Sequence, residues 1–133
     1  MESTNDGSIP LEDGASILPG GWKRPSVLDG RTFKFTYNNS GLFITINWDE
    51  KKILREVFIE RGKSGDEEKA AYEALGRAIS LALQSGVRVS ALVDTLKEIK
   101  TRNPTWQTMN GKSITITSVP DAVSKVLQIC SDM

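Results

Sequence analysis

The loop Gly62-Lys63-Ser64-Gly65 has residue types that suit the binding of an anion. It is predicted to join a strand to a helix, so that its backbone N–H groups, the helix dipole and the Lys63 ammonium converge on a phosphate. It lacks the Gly-x-x-x-x-Gly-Lys-Ser/Thr spacing of a nucleoside-triphosphate loop. The alternative is a plain strand-to-helix turn that is capped by Ser64 or Asp66.

Further candidates for binding an anion are Arg77, Arg102 and Trp106. Arg77 lies between a glycine and an alanine, and these small neighbours let a ligand approach. The alternative is that its stem packs at the rim of the core and its head is solvated. Arg102 and Trp106 flank a proline and can hold a nucleotide by stacking and charge, but such a tryptophan also suits a core or an interface. We predict a small anionic ligand of nucleotide type, bound by Gly62, Lys63, Ser64, Gly65, Arg77, Arg102 and Trp106.

The composition excludes several classes of chemistry. Lys and Arg together number 17, as do Asp and Glu, so no net charge favours non-specific binding to nucleic acid or to a membrane. The chain has no histidine and one cysteine, Cys130, which excludes the usual catalytic triads, Cys/His zinc sites and an internal disulfide. The acidic residues offer no convincing general acid/base pair. We therefore predict a protein that is not an enzyme and that uses no metal and no cofactor.

The chain length of 133 residues suits one domain. Its first 21 residues are rich in Ser, Asp, Gly and Pro and lack apolar periodicity, which predicts a flexible tail over residues 1–23 and a folded domain over 24–133. No apolar run approaches the roughly 20 residues of a membrane span, and the N-terminus lacks the features of a signal peptide. We expect a cytoplasmic protein.

The hydrophobic pattern predicts an α+β fold. Alternating apolar residues in Phe33–Tyr37 and Leu42–Trp48 predict two antiparallel strands, and Leu54–Glu60 completes a three-stranded meander. A long helix over Asp66–Ser85 is predicted to cover the apolar face of this meander. Its inward residues are predicted to be Ala71, Leu75, Ala78, Ile79, Ala82 and Leu83.

Three further elements are predicted towards the C-terminus. Ser90 caps a second helix that reaches about Lys100, and Asn110-Gly111 forms the turn of a short hairpin. A C-terminal helix starts at Ser118, which approximates a capping box with Asp121. The inward residues of the two helices are predicted to be Leu92, Val93, Leu96, Ile99, Ala122, Val123, Val126 and Leu127.

Several of these stretches occur in the order found in the TSCPD domain family, which the chain resembles over about residues 24–128. The motif that gives the family its name reads Thr-Ser-Val-Pro-Asp here. The matching stretches are Arg24-Pro25, Gly30-Thr32, Leu42–Asn47, Gly62–Gly65, Glu73–Leu83 and Thr117–Ala122. Members of this family form the C-terminal domain of adenosylcobalamin-dependent ribonucleotide reductases, and others are small stand-alone proteins, many from phages.

The chain departs from its family at four positions. Where members often carry cysteines it has Ser40, Glu67, Thr101 and Val119. Their joint loss implies that a metal or redox function of these cysteines is missing here, and reductase activity is not carried over because the radical machinery lies outside this domain.

Two functions follow from the residues and the resemblance. The first is a phage sponge that sequesters a nucleotide-like anion, such as a cyclic-nucleotide or cyclic ADP-ribose immune signal. The alternative is an accessory or regulatory partner of a ribonucleotide reductase. Because a small meander leaves a strand edge that must be paired, covered or charged, we also expect a homo-oligomer.

Overall fold

The computed structural model describes residues 9–10, 16–17 and 22–133 of the chain. The strands and helices along it are β1 (Ile9–Pro10), β2 (Ser16–Ile17), β3 (Asp29–Tyr37), β4 (Ser40–Trp48), β5 (Leu54–Arg61), α1 (Asp66–Gln84), α2 (Val89–Leu96), β6 (Thr105–Met109), β7 (Lys112–Ile116) and α3 (Val119–Ser131). Most of the predicted tail lies outside the described residues, so its division from the domain at residue 23 stays a prediction. Within the described part of the chain, no helix is long and apolar enough to cross a bilayer.

The predicted three-stranded meander and the α+β class are confirmed. β3, β4 and β5 form an antiparallel sheet in that order, and β1 pairs only with β2. Asn38 and Asn39 form the tight turn between β3 and β4, and both take positive φ angles, which asparagine tolerates better than most residues. The turn sets the register, so that Phe35 pairs with Leu42, and the apolar residues of the two strands fall on one face, except Phe43, which lies on the other face opposite Lys34.

That face is the core of the domain. Its fully buried sheet residues include Phe35, Leu42, Ile44, Ile46 and Val57. α3 packs over β4 with four residues that have no solvent exposure, namely Ala122, Val123, Val126 and Leu127, as the sequence predicted. Cys130 is also buried in this core.

α1 packs against β5 and protects the outer edge of the sheet. The Ser80 hydroxyl accepts a hydrogen bond from Val57 N at 2.9 Å, and Gln84 Nε2 donates to Arg55 O at 3.0 Å. Gly76 permits the close approach, because a Cβ atom there would lie 2.9 Å from Val57 O. The edge of β5 is thus covered by a helix of the same chain, which is one way that proteins prevent edge-to-edge pairing.

Two details predicted for α1 are wrong. Ala71 and Ala78 are exposed, because α1 lies against β5 through Gly76, Ile79 and Leu83. The N-cap residue is Gly65, and neither Ser64 nor Asp66 caps the helix, since no side chain accepts a hydrogen bond at that position.

The second helix is shorter than predicted. α2 ends at Leu96, and its N-cap residue is Arg88, so Ser90 is not the cap. Lys97 is extended and Glu98 has a φ of 60°, which turns the chain out of the helix and leaves Ile99 44% exposed. The interaction that stabilises this turn comes from α3, because the carboxylate of Asp121 accepts a hydrogen bond from Glu98 N at 2.7 Å.

The short hairpin and the C-terminal helix are confirmed. Asn110 and Gly111 both have positive φ, as expected for a two-residue hairpin turn. Ser118 is the N-cap residue of α3, and its hydroxyl accepts from Asp121 N at 3.0 Å. The reciprocal bond of a capping box is displaced by one residue, since the Asp121 carboxylate accepts from Thr117 N.

Candidate functional site

A groove between α1 and β5 encloses a cavity of about 820 Å³. This volume falls within the range of about 300–1,000 Å³ that is usual for small-molecule sites. One wall is the solvent-facing side of α1, and the other is the face of β5 turned away from the core. We call this the α1–β5 groove.

The helix wall carries residues at four-residue intervals, so that they lie along one side of α1. They are Lys69, Glu73, Arg77 and Leu81. Arg77 forms an ion pair with Glu73, and its side chain is 80% exposed. Leu81 is 49% exposed and lines the same groove as Phe58. This wall therefore offers the Lys69 ammonium, the ion pair of Arg77 with Glu73, and an apolar contact to anything that enters the groove.

The strand wall consists of Glu56, Phe58 and Glu60, which alternate with the core residues of β5. Phe58 is 48% exposed and presents an aromatic surface to the groove. Glu56 is buried and fully engaged, because its carboxylate accepts from Arg24 Nε at 2.8 Å and from Asn47 Nδ2 at 2.9 Å. Glu60 is exposed, and within residues 22–133 it takes part in no ion pair.

The end of the groove nearest the start of α1 is formed by a network around Arg61. Its Nη2 donates to Tyr37 O at 2.6 Å, and its Nη1 lies 3.4 Å from Glu68 Oε2. The same carboxylate oxygen accepts a hydrogen bond from the Tyr72 hydroxyl at 2.6 Å. Burial and then this bond to Glu68 raise the pKa of Tyr72, so the phenol stays neutral and remains a donor at neutral pH. These bonds fix the junction at which β5 leads into the predicted anion-binding loop.

The loop at residues 62–65 follows Arg61 directly. Gly62 N donates to Gly41 O and Lys63 N donates to the Ser40 hydroxyl, both at 2.9 Å. The Ser64 hydroxyl is buried, and it has no hydrogen-bond partner in the described part of the chain. Two backbone donors of the loop are therefore already used by the first hairpin, whereas the exposed Lys63 side chain is left for an anion.

Arg102 and Trp106 lie away from the groove. Trp106 is on β6, and the hairpin β6–β7 contacts β3 at the edge of the sheet opposite β5. Gln107 holds the hairpin there, because its side-chain amide makes two hydrogen bonds to the backbone of Thr36. Trp106 is 67% exposed and is not a core residue. Within one chain, the predicted set is thus divided between two edges of the sheet.

Sequence reasoning missed Phe58, Glu60, Lys69 and Leu81 as groove residues. Two of them could have been recognised in the sequence. Phe58 is an aromatic residue on the polar side of an alternating strand, and Leu81 is an apolar residue on the charged side of an amphipathic helix. Such residues on the solvent side of an element mark a surface that contacts something else.

The Thr117–Asp121 motif forms a second polar cluster, which we call the Asp121 clasp. The carboxylate of Asp121 has no solvent exposure and accepts from Thr117 N, Glu98 N and Lys125 Nζ, the last at 2.6 Å. Burial alone would raise the pKa of Asp121, but Lys125 and the two amides outweigh it and hold the pKa below its ordinary value. The clasp joins the end of α2 to the start of α3 and leaves no acceptor for a ligand.

Three of the four positions at which the resemblance implies cysteine serve here in the hydrogen bonding and packing of the domain, whereas the fourth, Glu67, is exposed. The Ser40 hydroxyl binds the backbone of Lys63, the Thr101 hydroxyl lies 3.0 Å from the Tyr37 hydroxyl, and Val119 is buried. Among the described residues, no three His, Cys, Asp or Glu side chains lie together as a metal site needs. The arrangement can bind a molecule by charge, stacking and hydrogen bonding.

A family model of the TSCPD domain matches residues 16–130, which include the groove, the loop and the clasp. No curated protein and no solved structure matches the chain significantly.

Proposed function

Because the chain belongs to the TSCPD domain family, we propose that it is a non-catalytic domain that binds a small anionic ligand of nucleotide type in the α1–β5 groove. The observation that carries this proposal is the composition of the groove walls. Cationic Lys69 and Arg77 face a half-exposed aromatic ring, Phe58, across a cavity of about 820 Å³. Charge-assisted hydrogen bonds suit phosphate, and an aromatic face suits a base.

Lys63 adds to this site from the loop that follows β5. It is exposed and makes no ion pair in the described part of the chain. We propose that a ligand with more than one phosphate contacts Lys69 and Arg77 in the groove and Lys63 in the loop that follows β5. The neutral overall charge of the chain makes this a local attraction, which favours a small ligand over a nucleic acid.

A binding role without catalysis is supported by the chemistry of the groove. The sequence contains no histidine, and its one cysteine is buried in the core. Glu56 is occupied by Arg24 and Asn47, so the strand wall offers no pair of free carboxylates for acid/base work. A protein that binds a signal nucleotide without converting it acts as a sponge, and we propose that a phage uses this one against cyclic-nucleotide or cyclic ADP-ribose immune signals.

The proposal is tested by a thermal-shift screen of the full chain against cyclic di- and trinucleotides, cyclic ADP-ribose isomers and ordinary nucleotides. A ligand that binds only the folded state raises the melting temperature. A hit is followed by calorimetry and by recovery of the intact ligand after the protein is heat-denatured. Recovery of a cleaved product contradicts the non-catalytic role, and the absence of any hit contradicts nucleotide binding.

A second candidate function is an accessory or regulatory partner of a ribonucleotide reductase, because the TSCPD domain is linked to those enzymes. In this case the half-exposed Phe58 and Leu81 contact a protein partner. Pull-down of a purified ribonucleotide reductase by the wild-type chain, but not by a Phe58→Ala variant, supports this candidate. The matched control is Trp106→Ala, on the other edge of the sheet, and this variant should still pull down the reductase.

A further inference from the structure

We infer that Glu60 makes the α1–β5 groove selective for ribonucleotides over 2′-deoxyribonucleotides, an inference that rests on the proposed function. The starting observation is an electrostatic mismatch. A site for an anion is expected to avoid carboxylates, yet the exposed Glu60 and Glu73 line the same groove as Lys69 and Arg77. Glu73 is paired with Arg77, whereas Glu60 has no ion pair within residues 22–133.

The two acids of the strand wall differ in what their oxygens contact. Glu56 is buried, and both of its oxygens accept hydrogen bonds from Arg24 or Asn47. Glu60 is exposed, and among residues 22–133 it has neither an ion pair nor a side-chain hydrogen bond. Its carboxylate is therefore free to accept a hydrogen bond from a ligand.

The contacts between α1 and β5 show where Glu60 and Phe58 lie along the groove. Ser80 lies beside Val57, and Glu68 lies beside Arg61, so α1 and β5 run in opposite directions. Glu60 is therefore nearer the end of the groove where α1 begins, and Phe58 is nearer Gly76, whose added Cβ would lie 3.8 Å from the Phe58 Cα.

Phe58 and Glu60 are two residues apart on one face of a strand, which separates them by about 6.5–7 Å. This separation is comparable with that between a base and the ribose hydroxyls of the same nucleoside. A base stacked on Phe58 therefore places its ribose near Glu60. The phosphates then extend to the cations of the helix wall and the loop.

A carboxylate beside an anionic ligand repels it unless the ligand donates a hydrogen bond to the carboxylate. The ribose 2′-hydroxyl is such a donor, and acidic residues bind this hydroxyl in dinucleotide sites of other folds. A 2′-deoxyribonucleotide cannot make the bond, so it meets only the repulsion. Because Glu60 is exposed, we expect a preference of about tenfold, well below that of a fully buried site.

The test is calorimetry of the full chain with ADP and cyclic di-AMP, each compared with its 2′-deoxy analogue. We expect the ribonucleotide to bind about tenfold tighter, and we expect Glu60→Gln, which removes the charge but keeps one acceptor oxygen, to reduce this ratio. Glu67→Gln is the matched control, since Glu67 is an exposed glutamate outside the groove, and it should keep the ratio.

Failure of this inference is distinguishable from failure of the proposed function. Equal binding of the ribo and deoxy forms by the wild type overturns the role of Glu60 and leaves nucleotide binding intact. A ratio that survives in Glu60→Gln does the same. If none of the four compounds binds, the inference is overturned, and the wider screen for a ligand decides whether the proposed function stands.

Discussion

Asp121 and Glu60 are both carboxylates in the family-matched region, but their surroundings are opposite. Asp121 is fully buried and accepts hydrogen bonds from two backbone amides and a lysine of its own domain. Glu60 is exposed in a groove beside an aromatic ring, and within residues 22–133 it has no ion pair. The Thr-Ser-Val-Pro-Asp motif is therefore used to build the fold. The ligand binding that we propose is assigned to the α1–β5 groove, where Lys69 and Glu60 take part in no ion pair within residues 22–133.

The largest expected effect is on the Asp121 clasp. Asp121→Asn removes the charge that pairs with Lys125 and one of the acceptor oxygens, so a buried amide loses its partner. We expect the free energy of unfolding to fall by about 2–4 kcal/mol in urea denaturation, with ligand affinity of the folded protein unchanged.

Asp94→Asn is the control for this variant, because Asp94 pairs with Lys97 on the surface. It should change stability by less than about 1 kcal/mol. If the two variants lose the same stability, the Asp121 clasp contributes no more to the stability of the fold than a surface ion pair does.

A somewhat smaller effect on stability is expected at Gly76, where α1 packs against β5. Helix propensity alone would make Gly76→Ala stabilising by about 1 kcal/mol. The added Cβ would lie 2.9 Å from Val57 O, however, so α1 must move away from β5. We expect a net loss of about 1–2 kcal/mol in urea denaturation.

Ala78→Gly, at an exposed position of the same helix, measures the propensity difference without a clash. A Gly76→Ala variant that is more stable than wild type would mean that the close contact between α1 and β5 is absent.

The stability of the fold should depend on pH through its buried carboxylates. Burial acts to raise the pKa of Asp121, but Lys125 and the backbone amides outweigh it, so the folded pKa lies below the ordinary 3.8. The stabilisation is then fully present above about pH 4 and is lost as the pH falls through the folded pKa. Asp49 adds to the same trend, because Arg55 and two amides hold its pKa low despite burial.

We therefore expect the urea midpoint to be steady from pH 8 to 5 and to fall below about pH 4. Asp121→Asn should flatten this fall, because the group that titrates has been removed. An equally steep fall in the variant would assign the acid sensitivity to other carboxylates.

The smallest effects on stability are expected from the groove cations, where affinity should change instead. Arg77→Ala should weaken nucleotide binding by about ten- to a hundredfold, since a charge-assisted bond to phosphate contributes about 1.5–3 kcal/mol. Its side chain is 80% exposed, so the melting temperature should not change. Lys63→Ala tests the loop in the same way. A fall in stability with unchanged affinity would mean that Arg77 only packs its stem.

Most of the fold could be predicted from local patterns in the sequence. The alternation in β3, β4 and β5 and the Asn110-Gly111 turn are properties of neighbouring residues, and all were predicted. The end of α2 was not, because it depends on a hydrogen bond between Glu98 and Asp121, which are 23 residues apart. Ala78 was wrongly placed in the core, since helical spacing alone did not reveal that α1 meets the strand edge through Gly76.

The candidate site was predictable only in part. Arg77 was identified from its small neighbours, and it does line the groove. The groove itself depends on Phe58 and Leu81 facing the same cavity, although they lie on different elements. Arg102 and Trp106 belong to the other edge of the sheet, and sequence spacing could not separate the two edges. The homo-oligomer that we expect from the sequence stays a prediction.

Chemical-shift mapping of the isotope-labelled chain during titration with ADP and cyclic di-AMP tests the proposed site most directly. The groove predicts shifts for the Leu81 methyl groups, the Phe58 ring and the amides near Glu60, with little change at the Trp106 indole N–H. Shifts confined to Trp106 and Arg102, with none in the groove, would contradict it and assign binding to the opposite edge of the sheet.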